Sequence, residues 1–117
     1  MAKQNRPPEE SVRIPSAVME DFTARLFERA GTTREDAMLM SELLVANDLR
    51  CVFSHGTQQI PDYLRKMVAG TVNPRPRLRD ISESAGALVI DGDWGTSPVT
   101  GVHSGRLPKR AWGALRR

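Results

Sequence analysis

Hydrophobic residues recur at helical spacing along three stretches of the first 70 positions. Val18, Phe22 and Leu26 stand four apart, with Phe27 beside the last of them. Ser16 precedes them as an N-cap, Glu20 and Asp21 occupy the early turns, and Arg25 and Arg29 lie towards the end. Gly31 suits the left-handed position after a helix, so the pattern predicts a first helix over 17–30. Thr32-Thr33-Arg34-Glu35 fits a capping box, and Ala37, Met40 and Leu44 follow at helical spacing with Leu43 and Ala46 alongside. A second helix is predicted over 34–50, and the short connection makes the two an antiparallel hairpin. A third run starts near Ser54, carries Gln59, Ile60, Tyr63, Leu64 and Met67, and ends at Gly70. Pro61 has no N–H for the preceding turn, so this helix must kink or restart there.

Elsewhere the period drops towards two. Val12-Arg13-Ile14-Pro15 reads as a short edge strand stopped by proline. Asn73-Pro74-Arg75-Pro76 reads as an extended connector. Leu78–Ile81 and Ala87–Asp91 read as two strands about a turn at Ser84-Ala85-Gly86. The expected fold class is α+β: an N-terminal helical region of three helices followed by a short β-hairpin. Residues 1–11 are polar and Pro-rich and read as a flexible arm. Residues 12–93 form the patterned body. Residues 94–117 show neither period and read as an irregular basic tail.

Charge changes this picture only slightly. The net charge of +3 and a pI near 9.6 suggest an anionic partner. Yet Arg106, Lys109, Arg110, Arg116 and Arg117 all fall in the tail, which has no acid, and without those five charges the body carries −2. A mildly acidic body with no basic stripe argues against nucleic acid as a partner. Cys51 is the single cysteine, which rules out an internal disulfide, and it reads as a small buried hydrophobe. The opening residues have no apolar stretch of the kind a secretory leader needs, and no run suits a membrane span. A cytoplasmic protein with no membrane partner is expected.

Several chemistries are absent from the motifs. The two histidines, His55 and His103, have no cysteine at zinc spacing. Neither GxGxxG nor GxxxxGK[ST] occurs. A Ser54/His55 nucleophile pair is not expected, because neighbouring residues at a helix start seldom face each other and no third carboxylate is evident. What remains for His55 is proton transfer, since an imidazole titrates near neutral pH. If Ser54 opened a helix, free N–H groups beside His55 would favour an anion. Gln59 and Tyr63, four and eight positions on, would share its face. A capped histidine beside a structural tyrosine is the competing reading.

The order of short segments carries more. Ile14-Pro15 and Ala30-Gly31 are followed by Ala46-Asn47-Asp48-Leu49-Arg50, then Val52-Phe53-Ser54-His55-Gly56. Ile60-Pro61-Asp62-Tyr63, Ala69-Gly70, Val72-Asn73-Pro74-Arg75-Pro76 and Leu88-Val89-Ile90-Asp91-Gly92-Asp93 come next. This series resembles the N-terminal region of the malate/L-lactate dehydrogenase family, nicotinamide-dependent oxidoreductases with a cofactor fold distinct from the Rossmann type. The resemblance implies hydride transfer between NAD or NADP and a small 2-hydroxy/2-keto acid, in a parent enzyme that is a homodimer. It implies that His55 is catalytic and handles the substrate proton. It places Ser54 beside the substrate, and Tyr63 against it. Gln59 falls where many members carry an arginine that pairs with the substrate carboxylate. An amide can bond a carboxylate but lacks the charge and the fork.

Family members continue after the Asp-Gly-Asp segment with Gly-Leu-Gly and a long cofactor domain. Asp93-Trp94-Gly95-Thr96-Ser97-Pro98 can be encoded so that the next frame reads Leu-Gly-His-Leu-Ala, similar to that continuation. A frameshift near Asp93 is therefore expected, leaving a truncated chain that is inactive by itself. The alternative is a non-catalytic small helical interaction module.

Overall fold

The computed structural model describes residue 5 and residues 9–84 and 86–106. The chain runs α1 (Ser16–Arg29), α2 (Arg34–Leu49), two short 3₁₀ turns (Phe53–His55 and Thr57–Gln59), α3 (Ile60–Val68), β1 (Arg79–Ser84), β2 (Ala87–Asp91) and α4 (Ser97–Arg106). The three predicted helices and the hairpin are present, and the α+β class holds.

Helices α1 and α2 pack as the expected hairpin. Gly31, at φ 103, takes the left-handed position after α1 and lets the chain turn back. Thr33 caps α2 by accepting from the Asp36 backbone N–H at 3.2 Å. Ser16 does not cap α1. It is the first helical residue, and the Pro15 carbonyl accepts from Val18 and Met19 instead.

The buried side of α1 differs from the stripe of apolar residues. Thr23, Ala24 and Phe27 are buried, whereas Val18 and Phe22 remain 58% and 54% exposed. The Ser41 hydroxyl of α2 reaches across to donate to the Glu20 carbonyl of α1. The core combines Ala24, Phe27, Ala37, Met40, Leu44, Ile60, Met67 and Val99.

Thr23 sits fully buried in this interface with no hydrogen-bond partner for its hydroxyl. An unsatisfied buried hydroxyl costs about 1–3 kcal/mol. Valine has a similar shape and is equally β-branched, so the helix itself is little affected. Thr23→Val is expected to stabilise the chain by about 1 kcal/mol, read as a higher urea midpoint. A lower midpoint would show that the hydroxyl is satisfied in solution.

The hairpin is antiparallel, with Arg79 opposite Asp91 and Ser84 opposite Ala87, and a bulge between Asp80 and Ser82. Strand β1 begins at Arg79 rather than Leu78 and reaches Ser84. Residues 12–15 form no strand. The Asp91-Gly92-Asp93 segment has a structural task. The Asp91 carboxyl is held below the ordinary carboxylate range by the Asp93 backbone N–H and by Arg79. Asp93 in turn accepts from the Asn73 amide at 3.0 Å and the Arg77 N–H at 2.9 Å, pinning the connector.

Residues 94–106 are not an irregular tail. Ser97–Arg106 is helical, and Val99, 2% exposed, enters the core. The Thr96 hydroxyl, just before α4, donates to the Met40 sulfur, and His103 Nε2 within α4 meets Asp36 Oδ1 at 2.7 Å, so this segment is tied to α2 at two points. Pro98 lies in the first turn, where its missing N–H has no intrahelical partner to lose. Gly101 and Gly105 dilute the apolar pattern that would announce a helix. The remainder of the predicted tail, 107–117, lies outside the described residues. So does most of the predicted arm, of which residues 5 and 9–11 are described and exposed.

Candidate functional site

The His55 region lies between the end of α2 and the start of α3. Cys51 turns the backbone through φ 60, a left-handed conformation that disfavours residues with a Cβ by on the order of 1 kcal/mol. The turn is closed by Cys51 N–H to Asp48 O at 2.9 Å and Val52 N–H to Asn47 O at 2.8 Å. Cys51 is exposed there, not the buried hydrophobe its composition suggested.

His55 does not open a helix. It ends one 3₁₀ turn, a second turn follows, and α3 starts at Ile60 with Pro61 in its first turn. That is the restart Pro61 required, because proline fits at a helix start and not within it. The backbone donors are already used. His55 N–H donates to Val52 O at 3.0 Å, Gly56 N–H to Phe53 O at 3.0 Å, and Thr57 N–H to the Asp48 carboxylate. Ser54 N–H faces Asn5 Oδ1 at 3.4 Å. The anion cradle of free N–H groups expected beside His55 is therefore not formed.

Three of the four predicted residues come together. Ser54 Oγ and His55 Nδ1 share a hydrogen bond of 2.9 Å, so the two neighbours do face each other within the tight turn. The Gln59 amide donates to the Ser54 carbonyl. Tyr63 stands one helical turn beyond Gln59, half-buried, with its ring edge-to-face against Phe27 at 6.3 Å. The core anchors that ring, not the Ser54–His55–Gln59 group.

Four further residues, Asn47, Asp48, Gly56 and Thr57, build the site; the first three fall in the segments that carry the family resemblance, but no role is expected of them there. The Asn47 amide donates to the His55 carbonyl at 3.0 Å. The Asp48 carboxylate accepts from Thr57 through both its backbone N–H, at 3.1 and 3.2 Å, and its hydroxyl, at 2.5 Å. Gly56 is buried under that carboxylate, and a Cβ built on it would lie 1.7 Å from Asp48 Oδ1. The available signal is an Asn-Asp pair at a helix end followed eight residues later by a glycine in a turn.

Among the described residues, no three His, Cys, Asp or Glu side chains gather as a metal site, and no helix is long and apolar enough to cross a membrane.

A family model described as malate/L-lactate dehydrogenase matches residues 14–107. The chain belongs to the malate/L-lactate dehydrogenase family. It is 36% identical over 99 residues to a malate dehydrogenase of Pyrococcus horikoshii, covering 85% of this chain and 28% of that protein. It is 34% identical over 76 residues to an L-sulfolactate dehydrogenase of Methanocaldococcus jannaschii, covering 65% of this chain and 22% of that protein. The solved structure of the Pyrococcus malate dehydrogenase superposes with a TM-score of 0.83 at 33% identity, over 97% of this chain and 32% of that one. The chain thus spans less than a third of the length of the dehydrogenases it matches.

The family match crosses Asp93 and runs to residue 107 in the frame as written. Together with the packed α4, this removes the frame change expected at Asp93. Within the family segment, Trp94 to Arg106 belongs to the fold.

Proposed function

We propose that this segment supplies the proton-handling half of a dehydrogenase that interconverts a small 2-hydroxy acid and its 2-keto acid. The observation that carries this reading is the Ser54–His55 hydrogen bond on a backbone anchored at the Ser54 carbonyl, the His55 carbonyl and the Thr57 N–H. A His55 Nδ1–H donating to the Ser54 hydroxyl oxygen leaves Nε2 bare in the neutral ring, free to take a proton from the substrate oxygen and, as imidazolium, to give it back. Oxidation of the hydroxy acid releases that proton to Nε2, and reduction of the keto acid takes it back.

The described residues do not fit a dinucleotide. Their two left-handed glycines, Gly31 and Gly70, follow the ends of α1 and α3 and do not open a helix towards a phosphate. NAD or NADP is accordingly assigned to parts of the enzyme outside these residues. The exposed Val18 and Phe22 suit burial against such parts, in a cytoplasmic homodimer.

Assay of the complete enzyme with NAD and NADP against malate, L-lactate and sulfolactate tests this reading. Turnover of at least one supports it, and the isolated 117-residue chain is expected to turn over none. Inactivity of the complete enzyme towards every 2-hydroxy acid would overturn it.

Gln59 tunes the grip on the acid. Its amide holds the Ser54 carbonyl and brings no charge to the site. Gln59→Arg is expected to lower KM for a 2-hydroxy acid by on the order of tenfold, with a smaller change in kcat, because a guanidinium bonds a carboxylate through two charge-assisted hydrogen bonds. A raised KM would show that holding Ser54 matters more than the added charge.

A further inference from the structure

Beside the histidine, the chain places a carboxylate against the backbone of a glycine. Asp48 is half-buried in the last turn of α2, and its oxygens take both donors of Thr57. At Gly56 any side chain would collide with that carboxylate, so the close approach needs a residue with no Cβ. The residue between the Ser54 carbonyl and Gly56 is His55. Its own carbonyl is held by Asn47, and the preceding carbonyl by Gln59. Each of these bonds is to backbone or to Thr57, and none touches the imidazole. The ring itself is held only through Ser54 Oγ among the described residues, and that 2.9 Å contact depends on the backbone being fixed on both sides.

We propose that Asp48, seated on Gly56 and bonded to Thr57, is a positioning residue that fixes the His55 imidazole against Ser54. Only the catalytic meaning of this clamp rests on the reading of His55 as the proton-handling group; the clamp itself and its test do not. Asp48 and Asn47 close the C-terminal side of the histidine turn, and Gln59 closes the other. Without the carboxylate, Thr57 N–H and hydroxyl turn to water, Gly56 regains its freedom, and the ring loses its fixed partner.

The test is NMR of the full 117-residue chain with ¹⁵N-labelled histidine, together with amide exchange at Thr57. In the unsubstituted chain the two ring nitrogens of His55 are expected to show widely separated shifts, the mark of one fixed tautomer, and the Thr57 amide is expected to be protected. In Asp48→Ala the two ring shifts should converge towards those of a free imidazole, and Thr57 exchange should quicken by about tenfold or more, the scale of one lost hydrogen bond. Asp48→Asn can still accept from Thr57 N–H and donate to its hydroxyl, so it should restore most of the ring pattern. Circular dichroism keeps loss of fold separate. If Asp48→Ala does not fold, Thr57→Val, which removes only the hydroxyl, should show a partial convergence. Unchanged ring shifts in a folded Asp48→Ala, or in Thr57→Val where that variant carries the test, would overturn the proposal. Since no turnover is measured, the clamp can fail while His55 remains the proton carrier, and it can hold where His55 is shown not to be one.

Discussion

Replacing His55 by alanine is expected to lower turnover of the complete enzyme by roughly 10²–10⁴-fold, the usual contribution of a positioned general acid–base. Cofactor binding should survive. The imidazole is exposed, and its one bond within the described structure is to Ser54. The backbone around it is held through carbonyls and through Thr57, and these bonds do not involve the ring. On the proposed reading, alanine therefore removes the proton carrier and leaves the turn in place. The loss should fall on kcat, because the proton moves in the chemical step and not on binding. Imidazole added to the buffer should recover part of the lost rate by entering the space the side chain vacates. Near-normal turnover would remove His55 from the mechanism. Loss of cofactor affinity with chemistry intact would instead move it to the cofactor side of the site.

The elements legible in the sequence are those set by local rules. Gly31 and Thr33 mark the break between α1 and α2 because a left-handed turn and a side-chain cap are properties of single residues. Gly70, at φ 75, ends the third helical run for the same reason. The covered face of α1 is less legible. Val18, Phe22 and Leu26 make an apolar stripe, yet burial follows Thr23, Ala24 and Phe27, because the partner surface decides which side is covered and periodicity does not describe the partner. The third helix starts at Ile60 and not near Ser54 as its spacing suggests. Local spacing joins His55, Gln59 and Tyr63 on one face, whereas the left-handed Cys51 and the demands of Pro61 break that stretch into turns.

Helix α4 escapes a reading by periodicity because Pro98, Gly101 and Gly105 mask its pattern and its core residue is a single valine. At the site, Ser54 and His55 stand out singly as candidates in the sequence, but their mutual hydrogen bond runs against the expectation for neighbouring residues, and the Asp48–Gly56–Thr57 contact is not legible at all. A carboxylate reaching across eight residues onto a glycine leaves no periodic trace. The order of short segments nonetheless locates the family, since it records these turns without explaining them.

Phe27→Ala is expected to destabilise the chain by about 3–5 kcal/mol, the range for emptying a fully buried aromatic site. Phe27 is 0% exposed and belongs to the central cluster with Ala37, Met40 and Leu44 of α2 and Ile60 and Met67 of α3. Its ring also meets Tyr63 edge-on, at 69° between planes, a geometry worth about 0.5–1.5 kcal/mol beyond the area it covers. A domain's whole stability is about 5–15 kcal/mol, so this one change removes a large share of it. Phe27→Leu keeps most of the volume and should cost appreciably less than Phe27→Ala. Phe22→Ala, five residues earlier on the exposed side, should shift stability by less than about 1 kcal/mol. Urea unfolding of the three variants distinguishes the faces directly. Equal losses at Phe22 and Phe27 would mean that the apolar stripe, and not the Thr23–Ala24–Phe27 side, faces the interior in solution. The expected asymmetry has a consequence for the site as well. Tyr63 lies one turn beyond Gln59 and takes its ring contact from Phe27, so emptying position 27 should loosen the tyrosine before it reaches the Ser54–His55 turn, which is held by its own hydrogen bonds.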